Sequence, residues 1–202
     1  DLEHDFAPLL LPCGLYSYHF HPTGDHHLAG IDSAAYTFIA SPFSVGCWIR
    51  PNAIASNVML AKYDSAGNAE EWRFWIDAAG LLDMELHDAN VSATEIAVSA
   101  AAVSLGQMQF VVATYDGTPA TPLVYLYVDG VAVNDGSTAE VNAFVDMEDT
   151  ATPLTIGCGG VTAAPTTEFH GRIAMPFICG KQLSAAEVVT LRDIMRPMIG
   201  IA

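Results

Sequence analysis

Apolar and polar residues alternate with a period of two along much of the chain, in short runs broken by Gly, Pro, Asn and Asp. That rhythm predicts β-strands with one buried face. The clearest case is Leu82-Asp-Met-Glu-Leu-His87, which alternates strictly. It follows Glu71-Trp-Arg-Phe-Trp-Ile-Asp77 across the turn Ala78-Ala-Gly80, and the two segments read as a hairpin. Tyr16–Phe20, Val45–Arg50, Val58–Tyr63, Glu95–Val98, Leu154–Ile156 and Gly171–Cys179 read as further strands. Gln109–Tyr115 is apolar throughout except at Gln109 and Thr114, as expected of a central strand buried on both faces. Leu123–Val128 and Val131–Val133 flank Asp129-Gly130, a strong tight-hairpin signal because glycine accepts positive φ.

Only the C-terminal end carries a helical period. Ser184 and Glu187 have capping-box spacing, Val188, Leu191, Ile194 and Met195 follow at helical intervals, and Pro197 ends the pattern. Many short strands with one late helix predict an all-β fold, a sandwich of two antiparallel sheets. Residues 1–40 read as an N-terminal arm with the first strands, and residues 41–202 as the body of the same domain. Two apolar stretches stand out at the ends. Phe6, Leu9, Leu10 and Leu11 lie in an arm bracketed by prolines, and Pro197–Ile201 closes the chain. Both are expected to dock on neighbouring subunits; the alternative is that the N-terminal arm closes an edge of its own sandwich.

Composition narrows the partners. Of the 202 residues, 7 are Lys or Arg and 23 are Asp or Glu, a formal charge of -16. Nucleic acid is excluded as an expected partner, since binding it requires many cationic phosphate contacts. Anionic membrane surfaces are disfavoured for the same reason, and no apolar run is long enough for a helical span. The four cysteines form no C-x-x-C pair, and burial as free thiols is the favoured reading. The chain starts at Asp1 without a methionine or signal peptide, which points to residues removed or left out ahead of it.

The strand segments resemble the laminin-G-like (concanavalin A-like) jelly-roll family. Phe43–Pro51 is similar to its first core strand. Val111-Val-Ala-Thr-Tyr-Asp-Gly117 and Tyr125-Leu-Tyr-Val-Asp-Gly130 resemble its paired "ATYDG … LYVDG" signature. Pro153–Gly157, Phe169–Ile173 and Leu183–Glu187 resemble its later strands and terminal helix. Lys62–Asp64 with Glu70–Trp72 looks like variants found in bacteriophage virion proteins. Two departures stand out: the Trp usual before "ATYDG" is absent, and Ala174-Met175 replaces an acidic pair. The resemblance implies a jelly roll. The same fold carries lectins, adhesion modules, glucanases and virion parts, so it does not imply one function.

Candidate chemistry is sparse. Glucanases of this fold carry alternating acids in the pattern E-x-D-x-x-E, and that pattern is missing. The chain is therefore read as non-catalytic. The leading expectation is a structural and recognition module on a virion surface or in an extracellular setting. Its partners would be proteins of an assembly, such as a capsid or tail protein, a glycan, or further copies of itself. A carbohydrate-binding module is the first alternative and a glycan-active hydrolase the second. The hairpin's outer face, Arg73, Trp75, Asp77, Asp83, Glu85 and His87, is the candidate contact surface, because a Trp among charges can stack on a sugar or anchor a protein. The competing reading buries Trp75 under a loop or neighbouring strand. Calcium is the ion the resemblance implies, with Asp32, Asp146, Glu148 and Asp149 as carboxylate donors. His19, His21, His26 and His27 form a weaker candidate for a transition metal.

Overall fold

A computed structural model describes residues 9–10, 16–21, 26–55, 57–118, 123–160 and 167–200, and no side chains at 9, 10, 16 and 137–141. Numbered along the chain, the strands are β1 (Leu9–Leu10), β2 (Tyr16–Phe20), β3 (Leu28–Ala29), β4 (Phe43–Pro51), β5 (Asn57–Asp64), β6 (Ala69–Ile76) and β7 (Leu81–Asp88). They continue with β8 (Ala93–Ala102), β9 (Gln109–Tyr115), β10 (Val124–Val128), β11 (Val131–Ala132), β12 (Asn134–Val141), β13 (Thr155–Ile156) and β14 (Gly171–Cys179). Among the described residues these build two antiparallel seven-stranded sheets. The first runs β1-β2-β14-β4-β9-β10-β11 and the second β12-β8-β7-β6-β5-β13-β3. One helix, α1 (Ala185–Met195), follows β14. The architecture is the predicted jelly-roll sandwich.

The core lies between the sheets. Val45, Cys47 and Ile49 of β4 and Val111, Ala113 and Tyr115 of β9 meet Trp72, Phe74 and Ile76 of β6 and Leu82, Met84 and Leu86 of β7. The β6–β7 register pairs Trp72 with Leu86, Phe74 with Met84 and Ile76 with Leu82, so period-two patterning sets both strands on one face. Burying such side chains contributes about 1.5–3 kcal/mol each.

A third layer explains why β9 is apolar on both sides. Its Phe110 and Val112 point outward with Trp48, Tyr127 and Ala174 and are covered by Val188 of α1 and Ile199 beyond it. Gly46 lets this layer close, since a Cβ there would meet the Phe177 ring at 2.8 Å. Ser184 accepts from the Glu187 amide, and the Glu187 carboxylate accepts in return from the Ser184 amide, which completes the capping box.

Three expectations about the ends change. Ile199 packs in its own domain, so that residue is not a free docking anchor. Ile194 is exposed rather than core-facing, because α1 offers only a narrow stripe to the sheet. Leu9 and Leu10 pair by backbone with Ser17 and Tyr16 at the edge of the first sheet, which is the edge-closing arrangement; Phe6 and Leu11 lie outside the described residues. Strand β12 was not expected from the sequence, since Asn134-Asp-Gly136-Ser reads as a turn. The chain changes sheets there. Asn134 keeps one tie to the first sheet, its side chain accepting from Leu126 N (2.8 Å) and donating to Val124 O (3.0 Å), while its backbone pairs with Ser99 in the second. The Asp129-Gly130 turn has φ of 50° and 80°, the doubly left-handed geometry its sequence predicts.

Candidate functional site

The outer face of the second sheet is the candidate site. Alternation that sends Trp72, Phe74 and Ile76 inward sends Arg73 and Trp75 outward, and β7 contributes Asp83, Glu85 and His87 to the same face. Arg73 pairs in register with Glu85, and Trp75 with Asp83. Neighbouring β5 adds Tyr63. Ala61 and Tyr63 alternate onto this side, and Met59, an extra residue in β5 opposite the Trp75–Phe74 step, brings Val58 there as well; a second bulge lies in β6, where Glu71 is the extra residue opposite the Lys62–Tyr63 step.

These side chains form one network. The Arg73 guanidinium lies 4.0 Å from the Trp75 ring centroid and 4.6 Å from that of Tyr63, a double cation–π arrangement. Its Nε donates to Glu85. Glu85 Oε2 is 3.2 Å from His87 Nε2, and His87 Nδ1 is 3.8 Å from Glu70. The Tyr63 and His87 rings are 5.0 Å apart. Burial by itself would raise the Glu85 pKa, but the hydrogen bonds from His87 and Arg73 outweigh it and hold the carboxyl below its usual range. Asp83 lacks such help. Burial first, and then the neighbouring Glu85 charge, push it up to about 8, despite partial relief from Arg73 and Trp75.

The predicted surface therefore has the right direction and the wrong exposure. Asp83, Glu85 and His87 are all more than nine-tenths buried. Only Arg73 and Trp75, both half-buried, present the face to solvent among the named hairpin residues other than Asp77. Asp77 is a turn residue: its Oδ1 accepts from Ala79 N and Leu81 N, both at 2.8 Å, and fixes the β6–β7 connection. Tyr63, Glu70 and their links to Arg73 and His87 were missed in the sequence, because the extra residues Met59 in β5 and Glu71 in β6 shift the pairing that simple alternation would assign.

The acids named for calcium do not form one cluster. Asp32 lies 3.0 Å from the ammonium of Lys62, which is fully buried, also donates to Glu71 and lies 3.0 Å from the Thr150 carbonyl. A protein cation thus already answers the Asp32 carboxylate. Glu71 Oε1 also accepts from Thr150 N (2.9 Å) and Oγ1 (2.8 Å); even so, burial pushes its pKa up. Glu148 accepts from Asn90, and the nearby charges of Asp88 and Asp146 add to burial in raising its pKa. Asp149 accepts from Thr37 Oγ1 at 3.4 Å. The His21 and His170 rings meet edge-on at 5.0 Å, with His19 6.5 Å from His21. Among the described residues no group of three or more His, Cys, Asp or Glu side chains is arranged to hold a metal ion. Cys47, Cys158 and Cys179 are free thiols.

The fold is a jelly roll of the concanavalin A-like type. A laminin-G-type family model, described as the concanavalin A-like lectin/glucanases superfamily, matches residues 24–189, and the chain belongs to that superfamily. No curated protein matches the chain in sequence. Among solved structures, the CBM40 domain of the Ruminococcus gnavus IT-sialidase bound to α2,3-sialyllactose is similar, with 16% identity and a TM-score of 0.63 over 87% of this chain and 97% of that one. The binding domain of botulinum neurotoxin serotype G gives 12% identity and a TM-score of 0.65, covering 94% of this chain. The chain spans 44% of that domain's length. A heptameric SAP-like pentraxin from Limulus polyphemus gives 13% identity and a TM-score of 0.52, covering 82% of this chain and 81% of that one. At these identities the likeness establishes the fold.

Proposed function

We propose that the domain is a non-catalytic recognition module that binds glycans through the outer face of its second sheet. The observation that carries this reading is the Tyr63–Arg73–Trp75 stack. Arg73 is fixed between two aromatic rings and anchored on Glu85, so the flat surface around Trp75 is set before any ligand arrives. A preordered aromatic platform suits the apolar face of a sugar ring, and it limits the entropy lost on binding. The similar CBM40 domain is bound to α2,3-sialyllactose, which agrees with this reading.

The setting we propose is the surface of a virion or another extracellular particle, on the strength of the resemblance at Lys62–Asp64 and Glu70–Trp72. There the module would act beside capsid or tail proteins. Glycan-array binding by the domain tests the function. At least one glycan class is expected to bind, and Trp75→Ala is expected to abolish that binding while the domain stays folded. Binding to no glycan, or binding unchanged in Trp75→Ala, overturns the proposal.

A further inference from the structure

The outer face of the first sheet carries positive charge where its helical cover stops. Ile49 of β4 and Ile173 of β14 pair in register and face the core, so the next pair, Arg50 and Arg172, faces outward. It lies one outward step beyond Trp48 and Ala174, which α1 and Ile199 cover. His19 of β2 is the register partner of Arg172 on its other side. The His21 ring stands 6.5 Å from that of His19 and 5.0 Å from that of His170, so the imidazoles extend the same face. Three neighbouring strands thus gather two guanidinium groups and three imidazoles, in a chain with 23 acids and only seven Lys and Arg residues. Strands β2, β4 and β14 themselves contain no Asp or Glu. Like charges directly opposite on a sheet are destabilising unless something answers them. Lys62, Arg73, Lys181 and Arg192 are answered by acids. Among the described residues Arg50 and Arg172 donate only to neutral acceptors: Arg50 Nε to the Gly106 carbonyl at 2.8 Å, and Arg172 Nη1 to the Ser17 hydroxyl at 3.5 Å. A guanidinium has five N–H donors, so most of theirs are left for a ligand. Arg50 is exposed and Arg172 half-buried, so the pair is open to solvent.

We propose that the Arg50–Arg172 pair binds a tetrahedral oxyanion, the sulfate or phosphate group of a larger ligand. Such a group has the charge to answer both guanidinium ions and oxygens that point toward each of them. A carboxylate matches one guanidinium fork and leaves the second cation unanswered. Arg50 is tethered through Nε, which leaves both of its terminal nitrogens for the ligand. Arg172 is held by one long bond and can turn toward an anion seated between the strands. His170 adds a neutral donor: burial first, and then the charge of His21, lower its pKa, so near pH 7 it is uncharged and keeps one N–H. The formal charge of -16 opposes any anion at long range, but that repulsion is screened beyond about 8 Å at physiological salt. A local cluster of donors with no acid in its own strands can therefore hold an anion that the rest of the surface repels.

The test uses the whole chain, ¹⁵N-labelled, titrated with sulfate, phosphate and acetate at constant ionic strength with chloride as the balance. Sulfate and phosphate are expected to shift the Arg50 and Arg172 Nε–H resonances saturably in the millimolar range, and acetate to bind about tenfold more weakly. The tighter of the two tetrahedral ions identifies the kind of ester the site takes. Arg50→Gln and Arg172→Gln, each read at the remaining arginine, should weaken that binding about tenfold, the worth of one charge-assisted hydrogen bond. Arg50→Lys should keep part of it. Arg50 is exposed, so an unchanged amide spectrum will show that its variants fold and lets that position decide. None of the probes is a glycan, so the result is independent of the face proposed above. No saturable shift, an acetate response equal to that of sulfate and phosphate, or binding undiminished in Arg50→Gln overturns the proposal.

Discussion

The two outer faces of the sandwich solve the same problem in opposite ways. Each sheet has one face in the common core and must do something with the other. The first sheet carries Trp48, Phe110, Val112 and Tyr127 on its outer face and hides them under α1 and Ile199. The second carries Arg73, Trp75, Asp83, Glu85 and His87, and it hides most of their polarity in one another. A covered apolar face gains stability from area removed from water. A self-paired polar face gains little net stability, because desolvation offsets most of the attraction. What it gains is rigidity of side chains at the surface, the property a recognition site needs and an apolar layer under a helix cannot offer to solvent.

The contrast is sharpest in the tryptophans. Trp48→Ala should destabilise the domain by about 3–5 kcal/mol, the usual cost of truncating a buried aromatic. Trp75→Ala, half-buried and free of the central core, should cost under about 1.5 kcal/mol. Denaturant unfolding of both variants checks this. Equal losses would mean that the second face is as structural as the first.

Next in size is the ion pair. Arg73→Ala strands Glu85 in a largely buried position and should cost about 3 kcal/mol, while the Arg73→Ala, Glu85→Ala double variant should lose less than the sum of the single changes. A double-mutant cycle measures this coupling. Strict additivity would mean that the network does not hold the face together.

Asp83 gives a pH-dependent test. In the unfolded chain it titrates near its ordinary value of 3.8, whereas in the fold it keeps its proton to about 8. Below pH 4 both states are protonated and the group costs nothing. As pH rises from about 4 to 8 only the unfolded chain releases the proton, so this group lowers stability across that window and then levels off. Asp83→Asn removes the titration. The variant should gain steadily on the wild type as pH rises from about 4 to 8, by several kcal/mol in all, and the difference should then level off. Parallel pH profiles for the two proteins would show that Asp83 ionises normally.

These residues also show what could be read from the sequence. The β6–β7 hairpin was legible because strict alternation and a short turn leave one register that buries Trp72, Phe74 and Ile76 with Leu82, Met84 and Leu86. The signature segments likewise announced β9, β10 and the Asp129-Gly130 turn. The exposure of the outer face was not legible. It depends on which charges find partners across strands, and the extra residues Met59 in β5 and Glu71 in β6 shift the pairing in a way no periodicity announces. Lys62 is the extreme case: a lysine in an apolar run, fully buried because Glu71, Asp32 and the Thr150 carbonyl converge on it from distant segments.

The smallest effect concerns what holds the cover on the first face. Ser184 accepts from Glu187 N at 3.4 Å and donates through Oγ to the Glu187 carboxylate at 2.8 Å, which in turn accepts from Ser184 N at 2.9 Å and from Lys181. Ser184→Ala removes the hydroxyl cap and should cost about 1 kcal/mol, as N-cap losses do. The loss should fall on α1 first, since the helix rests on the sheet chiefly through Val188, with Leu191 and Met195 partly buried beside it. Amide exchange therefore separates a local from a global effect: protection should drop in α1 while β9 and β7 keep theirs. Glu187 adds a pH signature. The hydrogen bond from Lys181 comes first, followed by those from Ser184, in pulling its pKa down to about 2, so its share of the cap is present above the ordinary glutamate range and fades as pH falls from about 4.5 toward 2. If Ser184→Ala lowers protection in β7 as much as in α1, the helical cover is part of the core and the contrast between the two faces fails.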